Sequence, residues 1–292
     1  MKFDHKKLDK LIAKNGLDEC KQYIYDNARS IIQLSLLGEE TYGNIGNSRI
    51  VGYPDLPTGM EWPETEDGER MTFIAQLNLK DIKPLDREGL LPEAGILYFF
   101  MGLDEPSYNI EHKVIYVENT AELAKCEIDE VSVLEETYGE FVSYRLSAKE
   151  IIQLPTYAYM NNEQISGDDT LYDRYSNMES ELFDRDESYI GHLYGYPEGQ
   201  HDDCELEAAL MIVAAEEYGY KEEEIDKLVQ HFSGDKKKAQ QEIDDMIMLL
   251  EVDSSDAVGF CWWDCGVIHF FIRREDLVNR KFDNTYLSLY SS

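Results

Sequence analysis

Two short stretches carry the residue types from which a metal centre is built. His201-Asp202-Asp203-Cys204 and Cys261-Trp262-Trp263-Asp264-Cys265 offer imidazole nitrogen and thiolate sulfur, with His192 and His269 nearby in sequence. Zinc takes four such donors in tetrahedral geometry. The cysteines here are spaced C-x3-C rather than C-x2-C, and no second close pair accompanies them. Cys265 also precedes Gly266 and an apolar run, where a free cysteine serves as a small hydrophobe. No metal and no cofactor is expected.

The same stretches could supply a nucleophile. A reactive cysteine or serine needs a base within hydrogen-bond reach and a group to orient it. His192, His201 and His269 are the candidate bases, but His269 lies in an apolar run, as a structural histidine does, and no Gly-x-Ser-x-Gly elbow is present. Asp264 follows two tryptophans, and burial against indoles would raise its pKa. As part of Asp-x-Gly between two apolar runs it also fits an ordinary turn, and that is the expectation. Phosphate-cradling Gly-x-Gly-x-x-Gly and Walker-type motifs are missing, as are calcium loops. No catalytic residue is assigned.

The elements that would position these residues follow from periodicity. Residues 6–28 carry apolar residues at helical spacing, interrupted at Gly16. Residues 30–37 form an Ile- and Leu-rich strand. Strands are expected at 49–53, 71–79, 95–101 and 113–118, punctuated by prolines, and β-like runs at 130–135 and 140–146. Leu171, Tyr175, Met178 and Leu182 make a helical stripe with Asp168 or Asp169 as its cap. Residues 204–244 are helical, with Gly234 closing one helix and Asp235 opening the next. Strands return at 246–252, 260–263 and 267–272, and 274–277 closes into a turn or short helix.

One pattern repeats. Gly52-Tyr53-Pro54 recurs as Gly195-Tyr196-Pro197, the run 71–78 resembles 246–253, and 95–100 resembles 266–271, in the same order. The expected fold is therefore α+β. A mostly antiparallel sheet is built from two related β-units by internal duplication, with an N-terminal helix and a helical insertion in the second half. The chain reads as one domain. Residues 1–28 form a helical segment, 29–146 the first unit, 147–190 a connecting loop and helix, and 191–292 the second unit with its insertion at 204–244.

The quoted residues resemble the YwqG-like family, a bacterial domain of unknown function. Gly52-Tyr53-Pro54-Asp55-Leu56-Pro57, Trp62-Pro63, Phe73 to Asn78 and Gly95 to Phe100 carry the resemblance in the first half. Gly195-Tyr196-Pro197, Gln200, Leu249 to Asp253, Trp263-Asp264-Cys265-Gly266, Phe270-Phe271-Ile272 and Asp276-Leu277 carry it in the second. Two positions depart from the family pattern. Gly52-Tyr53 stands where Gly-Gly is usual, and Glu251 where glutamine is usual. The resemblance implies an α+β fold and no particular reaction. It also implies an association with bacterial toxin and immunity genes.

Composition narrows the function. Among 292 residues, Lys plus Arg number 27 and Asp plus Glu 60, a formal net charge of −33. Such a chain repels nucleic acid and anionic membrane and attracts a basic protein. Hydrophobic residues at 43% are enough for a sizeable core. The charged N-terminus, the lack of a membrane-length apolar run and five scattered cysteines lead to a cytoplasmic expectation. The favoured function is a non-enzymatic protein-binding module, in the manner of an immunity-type inhibitor of a basic toxin. Its partner-binding candidates are Tyr157, Tyr159, Tyr172, Tyr175, Tyr189 and Tyr194, because tyrosine is enriched at interfaces. The alternative is a small-ligand binder or enzyme whose cleft lies at the seam of the two β-units, with Trp62, Gln76, Tyr196, Trp263 and Asp264 as ligand-binding candidates.

Overall fold

Several strands of this chain are apolar at consecutive positions because they bury both faces. The computed structural model describes residues 5–183, 185–199, 201–219 and 223–291; Gln200 lies outside them. The strands are β1 (Arg29–Glu39), β2 (Arg49–Ile50), β3 (Asp55–Pro57), β4 (Thr72–Asn78), β5 (Ile96–Met101), β6 (His112–Val117), β7 (Leu123–Lys125), β8 (Tyr144–Gln153), β9 (Tyr189–Leu193), β10 (Met246–Asp253), β11 (Val267–Arg273) and β12 (Thr285–Tyr290). The helices are α1 (His5–Asn15), α2 (Lys21–Asn27), α3 (Leu79–Ile82), α4 (Val133–Tyr138), α5 (Glu163–Ser166), α6 (Asp169–Leu182), α7 (Cys204–Ala209), α8 (Glu224–His231), α9 (Lys236–Asp244) and α10 (Arg274–Val278).

Ten strands form one antiparallel sheet in the order β12-β11-β10-β9-β1-β8-β2-β4-β5-β6; β3 and β7 pair separately. The sheet curls until its edges almost meet. Ile110 N–H donates to Leu287 O at 3.0 Å and Leu289 N–H to Ser107 O at 2.6 Å, so the segment leading into β6 is tied to β12. Inside the curl, Leu97, Phe99 and Met101 of β5 meet Ile268, Phe270 and Ile272 of β11. Full burial of each such side chain contributes roughly 1.5–3 kcal/mol. The alternate residues of β5, Ile96, Tyr98 and Phe100, face outward and are covered together with Trp62 and Leu56 of β3. Phe271 of β11 is covered instead by Ala208, Leu228 and Ala239 of α7, α8 and α9.

The two ends of the sheet share registers. β4 and β5 slip by one residue between Phe73 and Ala75, where Phe73 faces Phe100 and Ala75 faces Phe99. β10 and β11 slip between Met248 and Leu250, where Met248 faces Phe271 and Leu250 faces Phe270. Each bulge keeps two successive residues inward, Ile74-Ala75 and Leu249-Leu250, and then turns Gln76 and Glu251 outward. At the middle of the sheet, β1 lies beside β9 and β8 beside β2. β1 therefore pairs away from β2, and β8 away from β9, the strands that follow them in sequence.

Most helix boundaries follow the expected signals. Asp168 caps α6 by accepting from Thr170 N–H and Leu171 N–H, and Asp235 caps α9 through Lys237 N–H and Lys238 N–H. Gly16, at φ +66°, separates α1 from the turn leading into α2. The β-like run expected at 130–135 is a correction. Residues 133–138 are α4, because Ser132 and Glu135 form a reciprocal capping box that satisfies the first-turn amides. The strand expected at 260–263 is a turn entered from a single bridge between Ser255 and Phe260. β9 and β12 had no counterpart among the expected strands; β12 alternates Thr-Tyr-Leu-Ser-Leu-Tyr, a readable signal. Among the described residues, no helix is long and apolar enough to cross a membrane.

Candidate functional site

A polar residue facing outward from the middle of a buried strand must find a partner or lose stability. Both ends of this sheet solve that problem with a row of three across adjacent strands. In the first half the row is Arg49 of β2, Gln76 of β4 and Tyr98 of β5, all fully buried. Asp55 closes it. Its carboxylate lies 2.5 Å from Arg49 Nη2, and it accepts from Gln76 Nε2 at 3.0 Å and from Gly46 N–H at 2.6 Å. Its own N–H donates to Gln76 Oε1 at 2.7 Å. Tyr98 donates to Asp55 O at 2.5 Å, and burial pushes the Tyr98 phenol up. Glu40 lies 3.3 Å from Arg49 Nε.

In the second half the row is His192 of β9, Glu251 of β10 and His269 of β11, again with no exposure. His192 Nδ1 is 3.2 Å from Glu251 Oε1, and His269 Nε2 is 3.1 Å from Glu251 Oε2. Glu198 N–H donates to Glu251 Oε2 at 2.8 Å, as Asp55 N–H does to Gln76. Burial alone would raise the Glu251 carboxyl, but the imidazoles of His192 and His269 outweigh it and hold the group well below the usual carboxylate range. Among the described residues, His192 Nε2 and His269 Nδ1 have no hydrogen-bond partner. Where the first row has the neutral amide of Gln76, the second thus has an anion that two histidines receive.

Beside the second row opens a cleft of about 540 Å³. The Tyr194-Gly195-Tyr196 turn, Arg29 at the start of β1, Tyr159 and Glu205 of α7 line it. Gly195 sits at φ +84°, and a Cβ there would strike Gln153 and Ile31, so only glycine fits. The Arg29 guanidinium stacks 3.6 Å from the Tyr196 ring centre and donates to Gly195 O at 2.8 Å. Tyr159 donates to Glu205 Oε2 at 2.7 Å, and its ring lies 5.1 Å from that of Tyr196. Burial holds the Glu205 carboxyl above its ordinary value, with Tyr159 and Arg29 opposing. Glu88, Asp202 and Asp244 add three further carboxylates to the walls, and Arg274 a second cation.

A second cleft, of about 730 Å³, lies at the matching place in the first half. Val51-Gly52-Tyr53, Thr72-Phe73 and Phe141-Val142 line it, where the first cleft has Tyr194-Gly195-Tyr196, Ile247-Met248 and Arg29-Ser30. Gly52, at φ +80°, is packed against Tyr42 and Ser143 as Gly195 is against Gln153.

The ligand-binding candidates do not converge. Tyr196 lines the first cleft and Trp62 the second. Gln76 is locked in the Arg49–Asp55 network. Trp263 and Asp264 are exposed in the turn before β11, the environment expected of a turn aspartate. The partner candidates also divide. Tyr157 is 74% exposed, whereas Tyr175, Tyr189 and Tyr194 are buried. Tyr175 donates to Pro155 O, and Tyr189 reaches His192 Nδ1 at 2.8 Å. Tyr157 and Tyr172 form an edge-to-face pair, and Tyr159 joins the first cleft. Sequence reasoning passed over Arg29, Arg49 and Glu205. Arg49, three residues before Gly52 in an apolar stretch, was the readable signal; Arg29 and Glu205 carried none.

A family model described as a domain of unknown function, DUF1963, matches residues 48–290. The chain belongs to this family. No curated protein matches it. The DUF1963 match takes in both polar rows and β8 through β12, while β1, at the centre of the sheet, precedes it. Arg29, which shapes the first cleft, therefore also precedes the matched region.

Proposed function

We propose that this protein is a non-enzymatic binding module that receives a basic segment of a partner protein in the cleft at Gly195-Tyr196. The carrying observation is the set of four carboxylates, Glu88, Asp202, Glu205 and Asp244, set around tyrosines in a chain of net charge −33. Such a field speeds encounter with a cationic partner, and the stacked aromatic floor slows release. An immunity-type inhibitor of a basic bacterial toxin fits this chemistry, as does membership of the YwqG-like set within the family and a cytoplasmic location. The test is affinity purification of the intact protein at low and high salt. A stoichiometric basic protein, lost at high salt and with Asp202→Asn/Asp244→Asn, is the expected result; no such protein at low salt would overturn the reading.

A second reading has support in the cleft's size, which lies within the range of small-molecule sites. A small ligand, bound or turned over, would meet the Arg29 edge with an anionic group and Glu205 with a cationic one. Stabilisation of the protein by a small molecule, lost in Arg29→Ala, would favour it.

We also propose that the two halves are copies of one β-unit whose leading strands have changed places. The matched bulges, the matched rows and the two clefts support this. On that reading the units run from β1 to β6 and from β8 to β12, and each leading strand completes the other copy's cleft.

A further inference from the structure

We infer that Cys261 and Cys265 form a redox-reversible dithiol site that closes to an intrachain disulfide by exchange with a low-molecular-weight disulfide. The proposal does not depend on the docking reading, because the site lies in the turn between β10 and β11. Both residues are exposed, whereas Cys20 is buried and Cys126 and Cys204 are half-buried. The turn brings them together. Gly266 N–H donates to Trp262 O at 2.8 Å, closing a five-residue turn, and Trp263 and Cys265 adopt φ of +51° and +59°. Side chains other than glycine keep such angles only where the surroundings fix them. Here Ser254 Oγ accepts from Trp262 N–H at 3.0 Å and donates to Gly266 O at 2.8 Å, pinning both ends. Cys261 Sγ donates to Trp263 O at 3.5 Å, which turns it into the loop that carries Cys265, and the two thiols interact.

The exchange balances without a metal or a further co-reactant. The Cys261 thiolate attacks one sulfur of the small disulfide, a new S–S bond forms, and one small thiolate leaves. The Cys265 thiolate then attacks the Cys261 sulfur and expels the second. Two protein thiols are oxidised by two electrons, and one disulfide is reduced to two thiols. Cys261 is taken as the entering thiol, and the Cys265→Ser variant below tests that order. The adjacent thiol first, then burial and the charges of Asp264 and Asp256, hold Cys265 above the ordinary thiol value. The same aspartates repel an anionic disulfide and attract a cationic one.

The site has a built-in reporter and a structural outlet. Trp263, between the two cysteines, is 46% exposed. Phe260, one residue before Cys261, meets Phe141 edge to face at 5.1 Å, and Phe141 lines the second cleft.

The test treats the reduced full-length protein with cystamine or with glutathione disulfide and follows peptide mass and tryptophan fluorescence. The expected product is an intrachain link between Cys261 and Cys265, formed faster as pH rises through the thiol range and reversed by dithiothreitol. Cystamine should react about tenfold faster than glutathione disulfide at low salt, the preference shrinking as the charges are screened. Cys265→Ser should stop at the mixed disulfide on Cys261. A mixed disulfide that persists on Cys261 in the unmodified protein, or closure through Cys126 or Cys204, would overturn the proposal.

Discussion

Phe99 and Phe270 meet edge to face inside the curled sheet, with ring centres 5.1 Å apart. They hold corresponding places. Each follows the polar residue of its strand's row, and each faces the second residue of a bulge. The contact therefore joins the two ends of the sheet across the core. Phe99→Ala and Phe270→Ala should each cost about 3–5 kcal/mol. A double-mutant cycle measured by denaturant unfolding should return a coupling of about 0.5–1.5 kcal/mol. Strictly additive losses would show that the rings do not stabilise each other.

Arg49 carries a charge that the core tolerates only because Asp55 and Glu40 face it. Arg49→Met removes the cation and leaves buried carboxylates without their partner. The expected loss is about 3–5 kcal/mol. Combining it with Asp55→Asn should recover part of that loss, since one of the two orphaned carboxylates is then gone. Equal stability of the single and double variants would contradict the account.

Two half-buried carboxyls, Asp253 and Glu179, should make stability rise on mild acidification. Burial, then the charge of Glu251, raises Asp253 to about 6 against the pull of Arg185. Burial likewise raises Glu179 to about 7, with Arg185 opposing and Glu198 adding. The folded state binds protons more tightly at both groups than the unfolded chain does. Stability is therefore fully present below the unfolded carboxyl value and is lost as pH rises through the folded values. Glu251 works the other way. Its contribution is present above the unfolded value and disappears only as pH falls below the usual carboxylate range. Thermal unfolding should show a maximum near about pH 5. Glu179→Gln should add about 1–2 kcal/mol at pH 8 and flatten the slope between pH 8 and pH 5, solvent screening taken into account. A variant with the parent slope would remove Glu179 from the explanation.

Ser132 is more than a helix cap. It is buried, accepts from Thr72 Oγ1 at 3.0 Å and donates to Glu135 at 2.6 Å. Ser132→Ala should cost about 1–2 kcal/mol and loosen α4, seen as faster amide exchange at residues 133–136. Unchanged exchange there would mean that α4 is held by packing alone.

How far the sequence could be read depended on the range of the interaction. Asp168 and Asp235 cap α6 and α9 through amides two and three residues away, so the signals and their targets share one stretch of chain. The strands β4, β5, β10 and β11 were legible for the same reason, through apolar runs bounded by proline and glycine. α4 was misread because Val131 and Val133 suggested a strand, while the capping box that decided the matter lay in Ser132 and Glu135. The candidate ligand residues scattered because their side chains answer to neighbours far away in the chain. Gln76 is held by Asp55, and Trp62 donates to Met71 O.

Periodicity, caps and turn residues determined that this chain makes antiparallel strands with helices before and between them, and its composition determined a strongly negative net charge. Tertiary structure alone decided that β1 pairs with β9 and β8 with β2, which brought Arg29 over Tyr196 and Glu205 beside Tyr159. Local signals act over a few residues. The choice of strand neighbour depends on the free energy of burying whole faces against one another, which no short stretch of sequence contains.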